Sequence, residues 1–481
     1  MTFKMYRSFR YLILSLGVWA LPVPAASPTA LPEPVAQALK RQGVSTRGLS
    51  VYVHDVGSRA PLLAVAADTP RNPASTMKLL TTLAALEELG PAYQWKTEAY
   101  TAGAVRDGRL DGDLYIKGYG DPFLVVEHFW RLLRALRQQG IETIAGDLIL
   151  DQSLFASEAG DPAEFDGRPE RAYNVQPAAL LVNFQAVNFR FLPEPAAKRV
   201  RIVAEPHAAN LDIDNRLKLT DKPCHGWNRH VGFELKRDNG RETAVFSGHY
   251  DAACGEHELF RVVTDAPRYI HGVFTALWRE MGGRFEGKVR TAAVPANARR
   301  LHTHYSPPLA DIVRSVNKYS NNVMARQLLL TLAAEKSGVP ATSVNGGDVV
   351  RAWLRQRGLE FPELVLDNGS GLSREERISA RHLGEVLLAG YASPAMPEFL
   401  SSLPIAAVDG TLRNRLGGSA SDGQAHLKTG LLNNVRGLAG YVRDKQGRRV
   451  VLVVLHNHAQ ADGNAGRVAQ EAVLDWVYNR P

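Results

Sequence analysis

The stretch Pro73-Ala74-Ser75-Thr76-Met77-Lys78-Leu79-Leu80 decides the fold. A Pro-containing turn leads into a run that continues through Leu83, Ala84 and Leu86 and stops at Gly90-Pro91, the pattern of a buried helix with Ser75 in its first turn. Positions i and i+3 share a helix face, so Lys78 lies beside Ser75. The first backbone N–H groups of a helix lack intrahelical partners and point where an oxyanion can form. A hydroxyl, an amine and such donors together are the parts of a serine nucleophile that works without histidine.

Two later stretches extend the set. Ser320-Asn321-Asn322 heads another apolar run (Val323, Met324, Leu328, Leu329), and Lys428-Thr429-Gly430 lies in strand text, where Gly430 lets a ligand approach the backbone closely. Each pattern alone is weak. Ser315-Val316-Asn317-Lys318 repeats the first, Ser343-Val344-Asn345 the second, and Lys336-Ser337-Gly338 imitates the third. These copies have plain structural explanations: Ser315 and Lys318 fit the polar face of a helix, and Gly338 suits a helix end. They also leave too little chain between them to build a cleft. The set formed by Ser75, Ser320 and Lys428 is the one that can.

Around these motifs the chain divides by texture. Residues 48–56 alternate as a strand and 62–66 as a second. From Gln94 to about Pro295 the text turns to short strands, with hairpin turns at Asp107-Gly108 and Asp111-Gly112, helices over 125–139 and 268–281, and a strand over 144–150 ending at Asp151. Helical text resumes over 309–334, followed by strands over 425–431, 437–443 and 449–456 and a helix over 468–478. The expected fold is α/β, an α+β layered domain whose sheet is assembled from both chain ends and which carries inserted, mainly-β or α+β domains. Its expected segments are 1–26 as a leader, 27–93 with 296–481 as the catalytic domain, 94–175 with 264–295 as one insert, and 176–263 as another.

The leader has a positive start (Lys4, Arg7, Arg10), an apolar stretch from Tyr11 to Leu21 that is short for a membrane span, and small residues at Val23-Pro24-Ala25-Ala26. It reads as a secretory signal cut after Ala25 or Ala26, with a retained anchor as the alternative. No cysteine stands near the cut to take a lipid. The formal charge of +8 falls to about +5 without the leader, a mildly basic surface with dispersed Lys and Arg and no nucleic-acid motif. Cys224 and Cys254 are the chain's two cysteines. In an exported protein they read as a disulfide, which stabilises by about 3–4 kcal/mol in the chain-entropy model. Zinc is the alternative, because His225 and His230 stand near Cys224, but a second close cysteine pair is missing.

The three motifs, in this order and with 245 residues from Ser75 to Ser320, resemble those of the class C low-molecular-mass penicillin-binding proteins, the D-Ala-D-Ala carboxypeptidase/endopeptidases. Gly118-Tyr119-Gly120-Asp121-Pro122, Tyr173-Asn174-Val175-Gln176-Pro177, Asp367-Asn368-Gly369-Ser370-Gly371-Leu372-Ser373-Arg374 and Asp409-Gly410-Thr411 are similar to that family as well. Glu375-Glu376-Arg377 departs from the Asn-containing pattern expected there. The resemblance implies a penicillin-recognising serine transpeptidase-like fold and an acyl-enzyme on Ser75. Lys78 would serve as base, its pKa brought down by roughly three units from about 10.4, worth about 4 kcal/mol. Ser320 would relay a proton to the leaving amine, and Asn322 would hold the substrate amide. Lys428 and Thr429 would take the terminal carboxylate, and the N–H groups of Ser75 and Leu431 would form the oxyanion hole. Asp151 would receive the amine of diaminopimelate, or else simply cap its turn.

No metal or organic cofactor is implied. The implied partners are peptidoglycan stem peptides, with β-lactams as covalent inhibitors and no nucleic acid; cell-wall or membrane association and a homodimer stay open. The implied location is the periplasm. A β-lactamase or esterase on the same nucleophile, and a non-catalytic peptidoglycan-binding scaffold, are the competing functions. Turnover of a β-lactam would mark the first, and absence of covalent labelling the second.

Overall fold

A computed structural model of the protein describes residues 28–157, 160–418 and 421–480. The leader at 1–26 lies outside the described residues. The two ends of the chain meet in one antiparallel five-stranded sheet, with Ala425–Leu432 at one edge, then Val435–Arg443, Arg449–Asn457, Leu49–Asp55 and Leu63–Val65. Val51 stands opposite Val454 and Val53 opposite Leu452. The central strand is apolar at nearly every position because both of its faces are covered. Val450, Leu452 and Val454 pack toward Glu33–Arg41 and Asn464–Asn479, in a core with Val35, Leu39, Val473 and Val477. Val451, Val453 and Leu455 face the other way, against Leu79, Leu80 and Leu83 of helix Lys78–Leu89 and Leu383, Val386 and Leu387 of helix Ala380–Ala392. Each such side chain contributes about 1.5–3 kcal/mol on burial. The helix Lys78–Leu89 therefore sits in the larger of the two cores that cover this sheet.

The helical text over 309–334 is broken in two, Leu309–Lys318 and Asn322–Lys336. Ser320 between them takes a left-handed backbone, φ 56°. Asn321 then caps the second helix by accepting from Met324 N at 3.1 Å.

The inserted section leaves and rejoins the catalytic part at one place. Trp95 N donates to Ser306 Oγ at 3.0 Å, and Ser306 N donates to Trp95 O at 2.9 Å. Its main sheet runs Val289–Thr291, Leu148–Asp151, Leu114–Gly118, Lys96–Thr101, Arg299–Tyr305. The last of these strands pairs with Lys96–Thr101, so the insert extends beyond residue 296, where the sequence predicts a return to catalytic text. The strand is polar and half exposed, which hides it from an apolar-pattern reading. Residues 187–261 form smaller sheets centred on Val187–Glu194 and Arg241–Asp251. Phe189, Phe191 and Phe246 of this region share one hydrophobic core with Ile116, Leu132 and Trp278 of the first insert.

Cys224 is joined to Cys254 across this region. Replacing both with alanine is expected to lower the unfolding free energy by about 3 kcal/mol while Ser75 still reacts, because the bond closes a loop in the insert only. Denaturant melts of the double variant, read beside covalent labelling, check this.

Candidate active site

Asn72 sets the nucleophile turn. Its Oδ1 accepts from Ala74 N at 2.8 Å, its Nδ2 donates to Ser373 O at 2.8 Å, and Ala74 takes φ 47°. Ser75 follows in a 3₁₀ turn, Ala74–Met77, that precedes the helix Lys78–Leu89 instead of belonging to its first turn. With three residues per turn, positions i and i+3 superpose, and Lys78 Nζ lies 3.0 Å from Ser75 Oγ.

Two glycines let other backbone press against that turn. A Cβ on Gly430 would come within 2.6 Å of Pro73 O, and one on Gly371, which has φ 80°, within 2.0 Å of Ala74 O. Gly430 belongs to the edge strand Ala425–Leu432, where alternate residues turn their N–H outward. Leu427 N uses that direction to reach Pro404 O at 2.8 Å. Leu431, four residues on, has the same orientation, so its N–H faces the cleft beside Ser75.

Lys78 is fully buried. Besides Ser75 its amine meets Asn322 Oδ1 at 2.7 Å and Ser370 O. Burial first, then the charge of Lys428 and a smaller push from Arg326, hold it well below the ordinary lysine range, with Glu376 opposing. A neutral amine has two N–H donors and one lone pair. The two carbonyl oxygens absorb the donors, which leaves the lone pair for the Ser75 hydroxyl proton.

Lys428 is also fully buried and lies behind Ser320, with Nζ 2.7 Å from Ser320 Oγ and 2.9 Å from Thr429 O. Burial pushes its pKa down to about 7. Thr429 Oγ1 donates to Thr411 Oγ1 at 2.9 Å. Asn322 gives its oxygen to Lys78, while its Nδ2 is 3.5 Å from Tyr173 O.

Ser75, Ser320, Asn322 and Leu431 line one cleft with Asp166, Tyr173, Arg374 and Asn433, and Lys428, Thr429 and Gly430 stand just behind its wall. Asp151 is not brought there. It is buried, accepting from Ser153 N and Val294 N at 2.9 Å each and pairing with Lys117 at 3.5 Å, so it ties a strand end inside the insert. One carboxylate at the cleft is Asp166, held by Tyr173 OH at 2.6 Å and by Asn174 and Arg171; Asp462 also lines it. Nothing in its own text marks Asp166, but the neighbouring stretches ending at Pro177 and Arg374 were the available signal. Among the described residues no cluster of His, Cys, Asp and Glu is arranged to hold a metal.

A protein built this way transfers acyl groups through a serine with lysine in place of histidine, as the penicillin-recognising serine enzymes do. The chain belongs to the D-Ala-D-Ala carboxypeptidase 3 (S13) family, whose profile matches residues 31–479. It is 30% identical over 414 residues to the D-alanyl-D-alanine carboxypeptidase of Actinomadura sp. (strain R39), covering 83% of this chain and 76% of the relative. The fold superposes on penicillin binding protein 4 (dacB) from Haemophilus influenzae with TM-score 0.74 and 24% identity, over 92% of this chain and 99% of that one. It also superposes on a predatory peptidoglycan endopeptidase from Bdellovibrio bacteriovorus with TM-score 0.55 and 16% identity, over 90% and 92%. The family makes the activity that of a serine-type D-Ala-D-Ala carboxypeptidase.

The two lysines predict a bell-shaped pH dependence of kcat/KM. To act as a base Lys78 must be neutral, so with that role activity falls on the acid side as it gains a proton. Lys428 attracts a carboxylate only while charged, so that attraction is present below about pH 7 and is lost as pH rises through it. An amidated peptide should keep the acid limb and lose most of the alkaline one.

Proposed function

We propose that Ser75 attacks the carbonyl between two D-alanines of a peptidoglycan stem peptide, or that of a D-Ala–diaminopimelate cross-link, and that water then releases the acyl group. The single observation that carries this is the placement of the Lys78 amine, which meets Asn322 Oδ1 and Ser370 O while lying 3.0 Å from Ser75 Oγ. Lys78 takes the hydroxyl proton as the C–O bond forms. The oxyanion develops between the N–H groups of Ser75 and Leu431, an arrangement worth about 3–4 kcal/mol per donor in comparable sites. Ser320, hydrogen-bonded to Lys428, relays to the departing D-alanine amine the proton that Lys78 took from Ser75, which leaves Ser320 a hydroxyl and Lys78 neutral again. Asn322 Nδ2 holds the substrate amide. The Thr429 hydroxyl, with the Lys428 charge beside it, receives the terminal carboxylate. Export to the periplasm by cleavage near Ala25 and covalent capture by β-lactams belong to the same proposal.

Penicillin labelling followed by peptide mapping tests the nucleophile. The adduct is expected on Ser75 and should vanish in Ser75→Ala; an adduct on Ser315 would overturn the choice of motif. Digestion of purified muropeptides reads the function itself, with free D-alanine reporting carboxypeptidase and loss of cross-linked dimers reporting endopeptidase activity. Steady release of hydrolysed penicillin would instead favour a β-lactamase.

Lys428→Ala is expected to lower kcat/KM on peptides ending in free D-alanine by about 10- to 150-fold, the worth of a charge-assisted contact of roughly 1.5–3 kcal/mol. The amidated peptide should lose less, because it lacks the carboxylate. Equal losses would mean that Lys428 acts only through Ser320 and Lys78.

A further inference from the structure

Glu376 stands where the chain departs from the Asn-containing family pattern, and it is fully buried. Its Oε1 accepts from Asn368 N at 3.2 Å and Gly369 N at 3.0 Å, while Oε2 has no hydrogen-bond partner among the described residues. The turn it holds is docked on the nucleophile helix at two points. Thr81 Oγ1 donates to Gly369 O at 2.7 Å, and Lys78 Nζ donates to Ser370 O. One residue further, Gly371 lies against the backbone of Ala74 and Ser75. A continuous polar path thus joins Glu376 to the base.

We propose that Glu376 is a positioning residue for acylation: its carboxyl fixes the turn whose carbonyl orients the Lys78 amine, and its charge sets how readily that amine is neutral. The proposal rests on Lys78 being the base. A neutral amide here could accept hydrogen bonds but would carry no charge to titrate.

A buried carboxylate with one bare oxygen is costly, so the charge on Glu376 is kept only by the two donors on Oε1 and by Lys78, and Oε2 takes a proton as pH falls. Burial pushes Glu376 up to about 7; the Asn368 and Gly369 N–H groups and Lys78 pull the other way, and Asp367 adds to the rise. The charged groups acting on Lys78 are Lys428 and Arg326, which favour the neutral amine, and Glu376, which opposes them when ionised. Protonated, Glu376 releases the amine toward its neutral, base-competent form. Ionised, it draws a proton back onto it.

The test is the rate of penicillin acylation of the whole chain, followed across about pH 5 to 9 in Glu376→Gln and Glu376→Ala. Glutamine keeps the acceptor and removes the charge. Its acid limb is expected to move to lower pH by about half to one unit, since Lys78 loses a neighbour that raises its pKa, with a plateau within about threefold of the parent. Alanine removes the acceptor as well and should lower the plateau by about tenfold or more, as the amine loses its fixed geometry. A glutamine profile that overlays the parent's overturns the proposal even if alanine is slow, because a merely structural prop would behave that way. An alanine plateau equal to the parent's overturns it too. A parent that takes no label at Ser75 overturns the functional reading along with this one, whereas a labelled parent with an unmoved glutamine profile sinks the role of Glu376 alone.

Discussion

An amine buried beside a serine is the constraint on which the rest depends. A lysine cation taken out of water costs several kcal/mol, and burial holds the Lys78 pKa well below the ordinary lysine range. That depression is useful only if the neutral amine is aimed. Its acceptors come from distant parts of the chain: Asn322 after the whole insertion, and Ser370 from a turn later still. The helices and the sheet assembled from both ends serve to bring those oxygens to one atom.

Close backbone approach is the second requirement. The edge strand at Gly430 and the turn at Gly371 flank the Ala74–Ser75 peptide from different directions. A methyl group at either place would drive them away from it. The insert supplies a further wall. Gln327 accepts from Ala178 N at 3.1 Å and donates to Ala178 O at 3.0 Å, and Val175 and Leu181 pack on Val323. The helix headed by Asn322 is thereby fixed to the segment carrying Tyr173.

Much of this was legible in the sequence, for identifiable reasons. The near-continuous apolar run of 449–456 announces a strand covered on both sides, and the three-residue spacing of Ser75 and Lys78 survives the change from α to 3₁₀ geometry because both place i and i+3 together. Ser320 and Lys428 were found by context, and the structure brings them within one hydrogen bond. What stayed hidden was of two kinds. The Ser370 acceptor is a backbone carbonyl, which no side-chain pattern encodes. Asp151 and Asp166 are both aspartates near strand or turn text, and only the path of the chain decides which is buried in the insert and which reaches the cleft. The polar strand Arg299–Tyr305 lacks the alternation that would have marked it.

The sheet order carries a consequence for how the molecule comes into being. Leu49–Asp55 pairs with Arg449–Asn457, and the strand bearing Lys428 joins only through Val435–Arg443. Such pairing across nearly the full length is slow, since loop closure must precede any contact that rewards it. A chain emerging N-terminus first therefore holds Ser75 and Lys78 early but lacks the surroundings that depress Lys78 until the last strands arrive. The insert, closed on itself at Trp95 and Ser306, can settle in the meantime. The surroundings of Lys78 are thus complete only once both ends of the chain have paired.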